Sequence, residues 1–212
     1  MKSILCYGDS LTYGADPATG GRHALADRWP SALGAELGDD VHVVAEGLGG
    51  RTTAFDDYSA TADRNGVRVL PTILASHSPL DLVIVMLGTN DLKPAIHGNA
   101  LAAANGIRRM IAVIHGHYSR PGDVCPQVLI VSPPHAVPSN DAEFAELFGD
   151  GVAQSKRLAG FYKQRADEAG VHFFDAAEVA VASNEDGVHL DAANTRAIGR
   201  GLAPLVAKIL GL

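Results

Sequence analysis

Cysteine is almost missing from this sequence of 212 residues, with only Cys6 and Cys125. Both sit in or beside apolar stretches, so they are expected as buried, reduced thiols, and a disulfide framework is excluded. Positive charge is also short: 17 Lys and Arg face 24 Asp and Glu, a net charge of −7. That balance argues against nucleic acid or an anionic membrane surface as the main partner. No apolar run approaches the ~20 residues of a membrane-spanning helix. Before Gly8-Asp9-Ser10 there is only the run Ile4 to Tyr7, too short for a secretory core of about 7–15 apolar residues. A cytoplasmic protein with no membrane partner is expected. Linkers, internal repeats and low-complexity tracts are lacking too, so residues 1–212 read as a single domain.

What is present is apolar: 47% of residues are hydrophobic and 19% charged. A chain of this kind can bury a large core without metal or disulfide, and it lies outside the disordered range. Short Val/Ile-rich runs, each ended by turn residues, predict strands at 3–7, 41–45, 82–87, 128–131 and 171–174. Apolar spacing predicts helices over 27–37, 99–115, 141–169 with a break at 149–151, and 191–210 capped by Asp191. Pro204 is expected to kink or end the last of these. The region 51–78 fits least well; it reads as a long loop, then an apolar segment interrupted by Pro71. Strand–helix alternation implies an α/β fold with a mostly parallel sheet and helices on both faces. In such sheets ligands bind beyond the carboxyl ends of the strands.

Those strand ends carry Gly8-Asp9-Ser10, Gly47-Leu48-Gly49-Gly50, Gly88-Thr89-Asn90-Asp91 and Ser132-Pro133-Pro134, and Asp186-Gly187-Val188-His189 follows late in the chain. A serine hydroxyl needs a base to become a nucleophile, histidine is the usual base near neutral pH, and a carboxylate orients the imidazole. The tetrahedral intermediate needs donors aimed at its oxyanion. The Ser10 N–H, a glycine N–H and the Asn90 amide offer three. Asp175 also follows a strand, but the Asp-x-x-His spacing favours Asp186 as the partner of His189. Asp9 reads as a turn and helix-start residue, and Asp91 as structural.

Gly8-Asp9-Ser10-Leu11-Thr12-Tyr13-Gly14 resembles the first block of the GDSL, or SGNH, hydrolases. Gly47 to Thr53 resembles the second block, Gly88-Thr89-Asn90-Asp91 the third, and Asp186-Gly187-Val188-His189-Leu190 the fifth. The blocks occur in the family's order and span nearly the whole chain. The resemblance implies Ser10 as nucleophile, His189 as base and Asp186 as its orienting acid. It implies an oxyanion hole of Ser10, Gly50 and Asn90, with Gly49 the rival of Gly50. It also implies a three-layer, flavodoxin-like α/β/α fold around a five-stranded parallel sheet. Asp27-Arg28-Trp29, Arg51-Thr52-Thr53 and the stretch Leu80 to Asp91 are similar to the bacterial arylesterase and acyltransferase (perhydrolase) branch. Its members hydrolyse small acyl esters, and some transfer the acyl group. Tyr13 and Gly49-Gly50 depart from that branch's usual Trp and Ser-Ala.

The expected activity is therefore a serine esterase acting on small, neutral acyl esters through an acyl-enzyme, with Leu11, Tyr13, Thr89 and Val188 lining the substrate pocket. Alternatives are a carbohydrate acetyl esterase, a lysophospholipase-like lipase, or a non-catalytic flavodoxin-like binding domain. The resemblance implies a homo-oligomer. No cofactor or metal is expected. His115 and His117, two apart on a helix, do not face each other, and the 47–50 glycines lack the dinucleotide register. Phe144, Leu147 and Phe148 read as helix core, or as an acyl or oligomer contact surface.

Overall fold

The computed structural model describes all 212 residues. Strands form where the short apolar runs meet turn residues: β1 (Lys2–Gly8), β2 (Val41–Gly47), β3 (Leu82–Met86), β4 (Gln127–Ser132) and β5 (His172–Asp175). All pair in parallel, in the order β2-β1-β3-β4-β5. The helices are α1 (Ser10–Tyr13), α2 (Trp29–Leu37), α3 (Gly66–His77), α4 (Ala100–His117), α5 (Ala142–Phe148), α6 (Gly151–Ala169) and α7 (Ala192–Leu210). None is long and apolar enough to cross a membrane.

Alternation along the buried strands divides the core in two. Leu5, Tyr7, Val83, Val85, Val128 and Ile130 point to one face, where Leu70 and Leu74 of α3, Ile107 and Met110 of α4, and Leu158 and Tyr162 of α6 cover them. Ile4, Cys6, Ile84, Met86, Leu129 and Val131 point to the other, under Trp29 and Leu33 of α2 and Ile198, Leu202 and Val206 of α7. Helices thus flank both faces, the three-layer α/β arrangement expected. The chain steps from β1 outward to β2 and then returns to β3 on the far side of β1. This reversal opens a crevice at the carboxyl ends of β1 and β3.

Three expectations are corrected. The segment around Pro71 is a helix, α3, whose N-cap Asn65 accepts from the Arg68 amide at 3.3 Å. An interior proline costs about 3 kcal/mol, but burying Leu70 and Leu74 returns roughly 1.5–3 kcal/mol each. By the same argument α7 does not end at Pro204, one of the two outcomes expected there, but runs on to Leu210, because Ile198, Leu202 and Val206 stay fully buried along it. Cys125 is exposed, not buried. It sits just before β4, where the apolar run to its C-terminal side enters the sheet without it.

Helices α2 and α7 approach closely at Gly199, where a Cβ would lie 2.4 Å from the Trp29 carbonyl oxygen and 2.7 Å from the Leu33 amide nitrogen. Glycine to alanine in an open helix gains about 1 kcal/mol. Here the added methyl meets backbone, so Gly199→Ala is expected to destabilise by about 1–3 kcal/mol in urea unfolding. A stabilised variant would refute the close approach.

Candidate active site

Strand β1 stops at Gly8 and the chain enters α1 at once. Asp9 makes the turn, its Oδ1 accepting from the Leu11 amide at 2.9 Å. Ser10 is thereby placed at the first helical position, at the mouth of the crevice. The turn packs directly on β2: at Gly47 a Cβ would lie 2.2 Å from the Tyr13 nitrogen, so only glycine fits there.

The Ser10 hydroxyl lies 2.8 Å from His189 Nε2. On the other side of the ring, Nδ1 lies 2.6 Å from Asp186 Oδ2. The other oxygen of Asp186 accepts from the Val188 and His189 amides at 2.9 and 2.8 Å. One carboxylate therefore shapes the loop and holds the ring that the loop carries. Burial works to raise the Asp186 pKa, but the His189 ring and these two amides outweigh it, and the group is held below the usual carboxylate value. Nδ1 then donates to Asp186, which leaves Nε2 free to accept from Ser10. Asp175 is elsewhere, capping a short 3₁₀ turn through the Ala177 amide at 3.0 Å. His23 braces the histidine loop from behind, with Nε2 at 2.8 Å from the Leu190 carbonyl.

Facing this pair is the loop after β2. Gly50 adopts φ +79°, a left-handed conformation that favours glycine, and its N–H has no partner within the chain. The next residue, Arg51, is buried. Its Nη1 donates to the carbonyls of Gly8 (2.9 Å) and Glu46 (2.5 Å), and its guanidinium lies 4.2 Å from the Tyr7 ring centre. The Arg51 carbonyl in turn accepts from Asn90 Nδ2 at 3.2 Å, while the same nitrogen reaches Asp9 Oδ2 at 3.3 Å. Asn90, Asp9 and Arg51 thus form one buried polar network, and Ser10 and Gly50 are the chain neighbours of Asp9 and Arg51.

A cavity of about 480 Å³ opens over these groups. Ser10, His189, Gly50, Asn90, Tyr13 and Val188 line it, and both Gly49 and Gly50 face it. Leu11 and Thr89 do not. Leu11 is buried in the core against the α2–α7 layer, because the face of α1 next to Ser10 turns inward. The Thr89 hydroxyl is buried without a partner, away from the cavity. The aromatic wall comes from α5. Phe144 stands edge-on to the His189 ring at 6.0 Å and stacks on Phe148 at 6.3 Å. Phe144, Leu147 and Phe148 therefore line the site. Arg64 and Lys93 line it as well, and sequence reading missed both. Arg64 comes from the loop with no periodic pattern, and nothing in the residues around Lys93 marks it as facing the cavity.

Two further carboxyls lie beneath the network. Burial pushes Asp9 up to about 6, although the Leu11 amide, the His189 ring and the charges of Arg51 and Lys93 pull it down. Asp91 accepts from both the amide and the hydroxyl of Thr53. Burial still pushes it up to about 7, with the charge of Asp9 adding to the rise. No group of three or more His, Cys, Asp or Glu side chains is arranged to hold a metal ion.

Residues 6–197 match the model of the GDSL-like lipase/acylhydrolase family. Comparison with curated protein sequences returns no match. Among solved structures, a carbohydrate acetylesterase family member from Sinorhizobium meliloti is 54% identical, with a TM-score of 0.98 and 100% of both chains covered. A second carbohydrate acetylesterase from the same organism is 40% identical (TM-score 0.94; 99% of this chain and 100% of the other). The native aryl esterase of M. smegmatis is 39% identical (TM-score 0.93; 99% and 100%).

Asp91 gives a test of the buried network. Its raised pKa means that the folded protein keeps a proton which the unfolded chain releases near the ordinary value of about 3.9. The stability this contributes is full below that value and is lost as pH rises through about 7. Asp91→Asn retains a neutral acceptor for Thr53 and removes the titration. Between pH 5 and pH 8, wild type is expected to lose unfolding free energy relative to Asp91→Asn. A pH-independent difference in urea titrations would overturn the assignment.

Proposed function

As this chain belongs to the GDSL-like lipase/acylhydrolase family and is a carboxylic ester hydrolase, we propose that it cleaves short acyl esters through an acyl-enzyme on Ser10. The observation that carries this reading is the relay of contacts from Ser10 Oγ to His189 Nε2 (2.8 Å) and from Nδ1 to Asp186 (2.6 Å). In the proposed reaction Ser10 Oγ attacks the ester carbonyl carbon as His189 Nε2 takes its proton. Asp186 steadies the imidazolium. The oxyanion is met by the N–H groups of Ser10 and Gly50 and by one N–H of Asn90. The Arg51 carbonyl holds the other Asn90 N–H, and the bond to Asp9, at 3.3 Å, is long enough to yield. His189 then protonates the departing alcohol. Water, or a second alcohol in an acyl-transfer reaction, gives up a proton to His189 and attacks the acyl-enzyme, releasing Ser10.

Acetyl and other short acyl groups on a sugar or aryl alcohol suit the site. The cavity volume of about 480 Å³ falls within the range of small-molecule pockets. The S. meliloti and M. smegmatis proteins of known structure are named for those two kinds of ester.

Ser10→Ala is expected to abolish hydrolysis of a chromogenic acetate ester; near-wild-type turnover would remove Ser10 from the mechanism. Asn90→Ala is expected to lower kcat by roughly 10²–10³-fold with a smaller effect on KM, measured with the same ester. An unchanged kcat would take Asn90 out of the oxyanion hole. Profiling acetate to octanoate esters, with water and an added alcohol competing, is expected to give highest kcat/KM at the short end. A rise toward octanoate would favour a lipase instead.

A further inference from the structure

The chain as a whole is acidic, with a net charge of −7. The cavity over Ser10 is the reverse: Arg64 and Lys93 line it, and no Asp or Glu does. The two cations differ. Arg64 is already paired, with Nη1 at 2.7 Å from Asp57 Oδ2, and its side chain lies against Gly50, where a Cβ would come within 2.5 Å of Nε. Lys93 follows the turn that carries Asn90. Its ammonium makes no ion pair and no hydrogen bond within the chain. It lies over the Phe148 ring, 5.5 Å from the ring centre.

The charges of Asp57 and Asp9 favour the Lys93 ammonium through space, but each carboxylate is engaged elsewhere. Asp57 is held by Arg64 and by the Ser59 amide and hydroxyl. Asp9 is turned to the Leu11 amide and Asn90 and does not line the cavity. Burial, and then the charge of Arg64, hold the Lys93 pKa below that of an ordinary lysine. An ammonium that is partly desolvated and lacks an anion is costly to keep charged. An anion brought by the substrate would relieve that cost, and ionic hydrogen bonds are about twice as strong as neutral ones.

We propose that Lys93, with Arg64 beside it, is a carboxylate-recognition point, and that the ester this enzyme acts on carries a carboxylate placed to reach it. This rests on the serine esterase reading and narrows its substrate class. It replaces the neutral ester expected from the sequence. The carboxylate can belong to the acyl part, as in a half-ester of a dicarboxylic acid, or to the alcohol part, as in an acylated uronic acid or hydroxy acid.

The experiment uses two matched pairs of esters. For the alcohol side the pair is 4-acetoxybenzoate and its methyl ester. For the acyl side it is mono-(4-nitrophenyl) adipate and the corresponding methyl adipate. For each pair the readout is the ratio of kcat/KM, anionic over neutral, in wild type, Lys93→Met and Lys93→Arg. Comparing one ratio across variants cancels the intrinsic reactivity of the esters. In at least one pair, which identifies the side bearing the charge, Lys93→Met is expected to lower the ratio roughly tenfold, mainly through KM. Lys93→Arg is expected to retain most of the ratio, and added salt to reduce it in wild type only. A lysine that merely props the aromatic wall would lower both members of a pair together. Ratios equal within about twofold in wild type and Lys93→Met, for both pairs, overturn the proposal. If wild type hydrolyses none of the four esters, the esterase reading fails, and this proposal with it.

Discussion

The site depends on one buried cation. The Arg51 guanidinium holds carbonyls at the ends of two neighbouring strands, that of Gly8, the last residue of β1, and that of Glu46, the last but one of β2, where the chain leaves the sheet. Its own carbonyl fixes the amide of Asn90 at the end of β3. Three strand ends are thus tied by one residue. Taking a charge out of water is unfavourable unless it is well bonded. Here two carbonyls and the face of Tyr7 offset that loss. The arrangement is directional in a way that apolar packing is not, and a crevice whose donors must agree to a fraction of an ångström needs that directionality.

The carboxyls of the site divide by environment. Asp186 accepts from two amides and a ring N–H and is held low. Asp9 and Asp91 lie deeper, and burial drives both upward. The acid that, in the proposed mechanism, must stay ionised to steady an imidazolium is the one best supplied with donors. The two that shape turns lie where their charge is resisted. Position in the loop, not residue type, separates these roles.

Much of this was legible in the sequence. Short runs such as Leu82 to Leu87 can be little else than strands buried on both faces, and the turn residues after them mark the ends where a ligand sits. Asp186 and His189 are readable because three residues of spacing bring them together locally. What escaped depended on tertiary direction. Leu11 adjoins Ser10 in sequence, yet one helical step turns it from the cavity into the core. Helix α3 was hidden by Pro71, since its helicity comes from the sheet that Leu70 and Leu74 cover. Arg51 looked like loop structure because a guanidinium's partners here are backbone carbonyls, which leave no trace in side-chain pattern. Lys93 was unreadable for a related reason: its neighbours in the cavity, Phe148 and Arg64, are far from it along the chain.

In the proposed mechanism the base and its orienting acid form a local unit, but the nucleophile they serve lies 179 residues earlier. A chain emerging from the ribosome therefore completes β1, β2 and the turns bearing Ser10 and Asn90 long before any base exists to take a proton from Ser10. On that reading the nascent chain carries its serine without its base through most of its synthesis. The proposed triad can assemble only once the loop before α7 is made and His23 can brace it through the Leu190 carbonyl.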